Sequence, residues 1–259
     1  ASWLIEFPAM ERSSLIGIRK ALDGAYREFS RSYGDIIEAL FDPLLYFLVG
    51  FEKLLLGAPW LVVLAVLVGL TYAASRSRKL TLGVAAAFLL IGYFGMWDNT
   101  MRTLSIITVA TLLSIIVGIP TGIAMARSDR MQSVVTPVLD VMQTMPAFVY
   151  LIPVVMLLGI GKVPGIIAVV IYAIPPVIRL TNLGIRLVDR EVLEAATAFG
   201  ANGTQRLFGV QLPLAMPTIM AGVNQTIMMA LAMVVIASLV SAPGLGVLVL
   251  RGIRNLELG

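Results

Sequence analysis

Six long apolar runs dominate the chain, at about residues 58–74, 80–97, 101–126, 137–160, 163–183 and 217–240. A helix rises about 1.5 Å per residue, so crossing a hydrocarbon core about 30 Å thick takes roughly 20 apolar residues. Most of the runs meet that length, and the first two reach it by borrowing their flanks. The pattern predicts six spanning helices. Pro120, Pro146, Pro153 and Pro175-Pro176 lie inside the runs, where freed backbone groups have to be met by neighbouring helices, hydroxyl side chains or water. The spans are therefore expected to bundle with one another.

Before the first run the pattern changes. Charge recurs from Glu11 to Asp42 without an uninterrupted apolar core, so this stretch reads as neither a signal peptide nor a span. Leu15, Ile18, Leu22, Tyr26, Phe29, Tyr33, Ile37, Leu40 and Leu44 recur every three or four positions, while Arg19, Lys20, Asp23, Arg27 and Arg31 occupy other faces. That spacing predicts an amphipathic helix, lying on the outer membrane surface or against the bundle; a soluble helical hairpin is the other reading. Asp42-Pro43 reads as the N-cap and first residue of a helix restart.

Composition narrows the class. Hydrophobic residues make up 59% of the chain and charged residues 13%, with a mean hydropathy of +0.94. Soluble domains carry about a quarter charged residues, so much of this surface is expected to face lipid. The chain has no Cys and no His, which leaves no thiol chemistry, no His-based acid/base catalysis and no Cys/His metal site; no catalytic residue and no metal ligand is assigned. No Gly-x-x-x-x-Gly-Lys-Ser/Thr phosphate loop occurs either. The net charge of +4 lies in short groups between apolar runs, a matter of topology rather than of nucleic-acid binding. Arg76, Arg78 and Lys79 follow the first run, Arg127 and Arg130 the third, and Arg179, Arg186, Arg190 and Arg206 the fifth, whereas the other connections hold little beyond Asp98 and Lys162. The positive-inside rule then places the basic loops in the cytoplasm, and residues 1–57 and the C-terminal tail in the periplasm.

Between the fifth and sixth runs lies a polar loop of about 30 residues, long for a compact membrane protein. Asp189 reads as an N-cap, residues 190–199 as a helical run and Gly200 as its stop. Asn202 and Gln205 have capping-box spacing and open a second short helix through Leu207 and Phe208, which Pro213 is expected to close.

Here a resemblance becomes specific. Glu194-Ala195-Ala196, then Gly200 after three residues, then Val210-Gln211-Leu212-Pro213 after nine more, is similar to the EAA signature of permeases of binding-protein-dependent ABC importers. Val210 stands where that signature more commonly has Ile. The resemblance runs from about Trp97 onward, and residues 143–151 and 211–226 are similar to the glycine betaine/proline betaine permeases. It implies an all-α polytopic membrane protein of the inner membrane, a type I ABC importer transmembrane domain with an N-terminal amphipathic helix. It divides the chain into a periplasmic or interfacial segment 1–57, two accessory transmembrane helices in 58–97, and a core permease domain 98–259 with its coupling loop at 184–216. The family has one more core helix than this chain shows. Glu194, Ala195, Ala196, Gly200, Leu212 and Pro213 would couple the chain to a cytoplasmic ABC ATPase dimer, which binds ATP and Mg, so this chain needs no cofactor of its own. A periplasmic solute-binding protein and a second copy of the permease complete the implied assembly. The cargo implied is glycine betaine or a related quaternary ammonium or methylamine solute, moved by alternating access; importers of choline, carnitine, trimethylamine N-oxide or dimethylsulfoniopropionate share much of this architecture.

Other positions keep two readings. Asp140, Gln143 and Thr144, at i, i+3 and i+4, share one helix face and are candidates for the translocation path, though Asp140 near a membrane surface could equally be a solvated carboxylate. Phe148, Tyr150 and Tyr172 could pass a quaternary ammonium by cation-π contact or serve as packing. Asn224, Gln225 and Thr226 line a path or hold helices together. Gly244 and Gly246 form an outer gate or a simple turn. The competing classes are an ion-coupled secondary transporter, which would show a mid-span acid or an internal repeat, and a membrane scaffold, which has no use for the loop signature.

Overall fold

A computed structural model describes residues 12–240 and 242–255, and every element among them is helical. The chain divides into two units at Pro43. Helix α1, Arg12–Gly57, carries Pro43 inside it, so the restart expected at Asp42-Pro43 is not a break. A proline deletes one ladder hydrogen bond, and strong helix formers on both sides, Leu40 before and Leu44-Leu45 after, carry the helix past it. In the first unit the expected apolar face at Leu15, Leu22, Tyr26, Phe29, Tyr33, Ile37 and Leu40 lies outside the described side chains.

The second unit begins where α1 turns apolar. Leu48 is completely buried, in one cluster with Ile106, Val109, Ile166, Val169 and Met233, so residues 44–57 belong to the helical core. At Ala58-Pro59 the chain bends by 108° into α2, Trp60–Ser75. Helix α3, Arg78–Tyr93, follows after a tight turn in which Arg76 takes a left-handed conformation (φ +53°) and donates its N–H to the Tyr72 carbonyl, while the Ser77 side chain caps α3. Each of these helices has 16 residues, about 24 Å of rise, and Val63 is the one residue fully buried on either among those described.

Three spans form the centre. Helix α4, Trp97–Arg127, has 31 residues. Helices α7, Lys162–Ala173, and α8, Pro175–Arg186, make one 25-residue span; Pro175-Pro176 starts α8, where a missing N–H costs least. Helix α11, Leu212–Ala237, lies in a 38-residue span from Gly203 to Val240. Eight of the 12 residues of α8 are buried, because α8 sits between the other two and glycines let the backbones meet. A Cβ on Gly118 of α4 would lie 2.4 Å from Val177 Cγ1, and one on Gly122 would lie 2.7 Å from the Ile178 carbonyl oxygen. Across the opposite face, Gly184 meets Ala215 and Thr218, and Gly222 meets Val177 and Leu180. This is membrane packing by small residues, in which close van der Waals contact replaces a hydrophobic driving force that lipid cannot supply.

Two expectations are corrected. The run 137–160 is not one helix: α5, Asp129–Thr144, stops, and a short 3-10 turn, Ala147–Tyr150, leads into α6, Leu151–Leu158, at 111° to it. Met145 is extended (ψ 136°) because the ring of Pro146 excludes the helical conformation of the residue before it. Against six apolar runs in the sequence, three helices among the described residues are by length and composition long and apolar enough to cross a membrane, or five spans if each bent pair counts as one. The second correction is at Pro213, which closes nothing. A π turn at Leu207–Gln211 widens the ladder so that Leu212 N–H reaches the Leu207 carbonyl, and the helix runs on through Pro213 at the start of α11. The last described element, α12, is Leu245–Asn255.

Candidate functional site

The polar loop is a rigid two-helix knob. Asp189 accepts the Glu191 N–H at 2.9 Å and opens α9, Arg190–Ala198. Gly200 closes it at φ +85°. Its N–H bonds the Thr197 carbonyl at 2.9 Å and the Ala201 N–H bonds the Ala196 carbonyl at 3.0 Å, the paired bonds of a Schellman stop. Asn202 and Gln205 then exchange reciprocal bonds of 2.8 and 2.9 Å, a complete capping box for α10, Gly203–Arg206. Arg206 Nη1 donates to Thr197 Oγ1 at 3.3 Å and ties the second helix back to the first.

The knob is seated by apolar packing. Leu207 is buried with Ile185, Val188, Ala215 and Ile219, and Leu193 and Leu212 pack against them. Glu194 and Ala195 are exposed, Ala196 is half-buried, and Pro213 is exposed. Glu194 has no ion-pair partner among the described residues, so packing rather than a carboxylate fixes the loop. Phe199, 93% exposed, stands at its tip, and Phe208 is exposed beside the π turn. A cleft of about 340 Å³ opens between the two helices, lined by Arg190, Leu193, Glu194, Thr197, Ala198 and Arg206.

The arginines near the knob bond to neighbouring helices. Arg186 donates from Nη2 to the Met125 carbonyl at 2.9 Å and to Asp129 Oδ1 at 2.8 Å, and from Nε to Asn182 Oδ1 at 3.0 Å. Arg179 Nη2 donates to Asp140 Oδ1 at 2.5 Å. These bonds fasten α8 to α5 and to the end of α4. Asp140 is therefore a paired carboxylate at the surface, with its side chain 57% exposed.

The pathway candidates separate. Gln143 and Thr144 share the exposed face of α5 with Asp140, and the Thr144 hydroxyl donates back to the Val141 carbonyl at 3.0 Å. Phe148 is exposed at the bend, whereas Tyr150 is buried, donates its hydroxyl to the Met142 carbonyl, and meets Tyr172 edge-on at 6.3 Å. Tyr150 thus staples the bend. On α11, Asn224 and Gln225 are exposed, and Thr226 is fully buried with its hydroxyl unpartnered among the described residues, so no helix-bridging bond arises there.

At the opposite end of α11, the segment Pro243-Gly244-Leu245-Gly246 is pinned. Thr103 Oγ1 of α4 accepts the Leu245 N–H at 2.8 Å and donates to the Asn99 carbonyl at 2.9 Å. Gly244 has φ +137°, and a Cβ there would lie 2.4 Å from that same Oγ1. A Cβ on Gly246 would lie 2.9 Å from Ser238 Oγ and from Val235 Cα. Glycine is required at both positions by contact.

One buried group escaped the apolar pattern. Glu52, 7% exposed, pairs with Lys162 and lies beside Arg102. Its signal in the sequence was a Glu-Lys step interrupting the apolar run 44–56.

A bundle of glycine-packed spans that carries a capped, exposed knob on one surface defines a helical membrane component. Residues 118–258 match the family described as binding-protein-dependent transport system inner membrane component, and the chain belongs to it. It is 51% identical over 219 residues to the glycine betaine/proline betaine transport system permease protein ProW of Escherichia coli, covering 84% of this chain and 61% of that protein. It is 54% identical to its counterpart in Salmonella typhimurium over 69% of this chain and 51% of that one, so the chain spans little more than half the length of these two relatives. With the glycine betaine transport system permease protein OpuAB of Bacillus subtilis it shares 42% identity over 96% of this chain and 88% of the relative. A chain of the MetNI methionine ABC transporter in an inward facing conformation superposes with a TM-score of 0.55 at 20% identity, over 63% of this chain and 81% of that one, a likeness of fold.

Proposed function

We propose that this chain is the permease subunit of an ATP-driven importer for glycine betaine or a related quaternary ammonium or methylamine solute. The observation that carries the reading is the knob at 190–211, held by a Schellman stop and a capping box and joined without slack to α8 on one side and α11 on the other. The names of the relatives supply the solute class.

The mechanism follows from stiffness. An ATPase subunit that grips the knob moves α8 and α11 together, because the π turn continues directly into α11 and only three residues separate α8 from α9. Those helices are interlocked with α4 at Gly118, Gly122, Gly184 and Gly222, so a push at the knob is passed along the spans. An ATPase dimer would bind ATP and Mg, a solute-binding protein would deliver cargo, and a second copy of the chain would complete the path, which alternates between outward and inward access. The knob lies in the cytoplasm and the N-terminal segment outside, a placement supported by the arginines that follow the first, third and fifth apolar runs. Asp140, Gln143, Thr144, Phe148 and Asn224, exposed in the single chain, are the residues available to face that path, and Gly244 and Gly246 its outer closure.

The test is uptake of a labelled panel of betaines and methylamines by proteoliposomes holding the chain with its ATPase and binding protein. ATP-dependent uptake of glycine betaine is expected. Uptake that persists without the ATPase and collapses with an ionophore would establish an ion-coupled transporter instead.

A further inference from the structure

Glu52 is the one buried carboxylate among the described residues, 7% exposed, on the part of α1 that packs into the core. Its Oε2 accepts from Lys162 Nζ at 2.6 Å, and its Oε1 lies 3.8 Å from Arg102 Nε. Lys162 is the first residue of α7, and Arg102 lies in the second turn of α4, so three helix segments meet at one acid. Arg102 Nε is itself buried and has no hydrogen-bond partner. Ionisable groups in a membrane protein's interior are costly to keep, and they persist where something has to move or be recognised.

The span formed by α7 and α8 is moored at both ends, and the two moorings differ. At the end next to the knob, Arg179 and Arg186 pair with Asp140 and Asp129, whose side chains are 57% and 89% exposed. Water can replace such partners, so these pairs yield readily. At the far end the Glu52 carboxylate is desolvated, and losing Lys162 without a replacement would strand a buried charge. Arg102 Nε is that replacement: it already forms a longer ion pair with Oε1 at 3.8 Å and makes no hydrogen bond, so it can close on the carboxylate as Lys162 leaves. Just ahead of Lys162, Gly159 (φ +74°) and Gly161 have nothing within 4 Å of a built Cβ, so the connection that carries Lys162 is open, while one turn on Gly165 packs against Ala242.

We propose that Glu52 is a two-position latch on the outer end of the α7–α8 span. It holds Lys162 in the arrangement seen here and passes to Arg102 when the span moves, so the outer end has two discrete positions rather than a continuum. The latch rests on the permease reading and goes beyond it by naming the group released in each cycle.

The chain has no cysteine, so Glu52→Cys/Lys162→Cys can be bridged by a short bis-methanethiosulfonate reagent in the complete complex with ATPase and binding protein. Substrate-stimulated ATP hydrolysis and betaine uptake are read before and after reduction. Bridging is expected to lower both about tenfold below the unbridged double variant, with return to that variant's own rate on reduction. Equal rates before and after reduction overturn the latch. Arg102→Gln, in which Glu52 has no second partner, is expected to assemble as wild type while turning over more slowly; a wild-type rate there overturns the exchange. A wild-type complex that does not respond to substrate removes the permease reading, and the latch falls with it.

Discussion

The α4–α8–α11 centre and the α2–α3 pair are both apolar, yet they are built in opposite ways. The centre is dense with glycines facing backbone: Gly118, Gly122, Gly184 and Gly222 all have a neighbour within about 3 Å of where a Cβ would stand. In α2 and α3, Gly69 and Gly83 have open space around them, and Leu61, Val66, Leu82 and Leu90 are exposed. Hydropathy alone cannot separate the two, since lipid and protein interior are equally apolar. What distinguishes them is side-chain size at the contacts, which determines how closely the helix backbones approach.

The comparison breaks most easily at Gly122. Gly122→Leu is expected to abolish recovery of a monodisperse chain in detergent, and even Gly122→Ala to cost about 1–3 kcal/mol by overpacking against the Ile178 carbonyl. Thermal unfolding followed by size-exclusion chromatography checks both. Gly246→Leu should come next: its side chain would meet Val235 and Ser238, displacing α12 and lowering uptake in proteoliposomes severalfold; unchanged uptake would make the segment a simple turn. Asp140→Asn removes one exposed ion pair and should change stability by about 0–1 kcal/mol. A much larger loss of uptake than of stability would place Asp140 on the path. Smallest of all, Gly83→Ala in α3 should leave the melting temperature unchanged or slightly raised, about 1 kcal/mol at most, because it adds helix propensity in open space.

Much of the knob was legible beforehand, because it is made of local signals. Asp189, Gly200 and the Asn202/Gln205 pair each act within a few residues, and each makes the bond its spacing predicts. The spans were legible in place but not in continuity. Pro120 and Pro146 look alike in a hydropathy pattern, yet α4 continues through the first, whereas α5 ends before the second, where Met145 takes the extended conformation favoured ahead of a proline. The helix also continues at Pro213, where a π turn absorbs the ring. Least legible were the ion pairs of Glu52, Arg179 and Arg186. Their partners lie 110, 39 and 57 positions away, and charge patterning read along one helix is blind to partners on another.

The most direct test of the account is ATP hydrolysis by the purified complex in nanodiscs, with and without loaded binding protein, for wild type, Gly200→Val and Ala196→Trp. Gly200 at φ +85° cannot become a β-branched residue without strain of about 1–2 kcal/mol, which falls on the Schellman stop that aims the second helix. Both bulky variants are expected to insert and fold like wild type but to lose substrate-stimulated hydrolysis or fail to co-purify with the ATPase, while Thr197→Ser behaves as wild type. Wild-type assembly and wild-type stimulation in both bulky variants would contradict it.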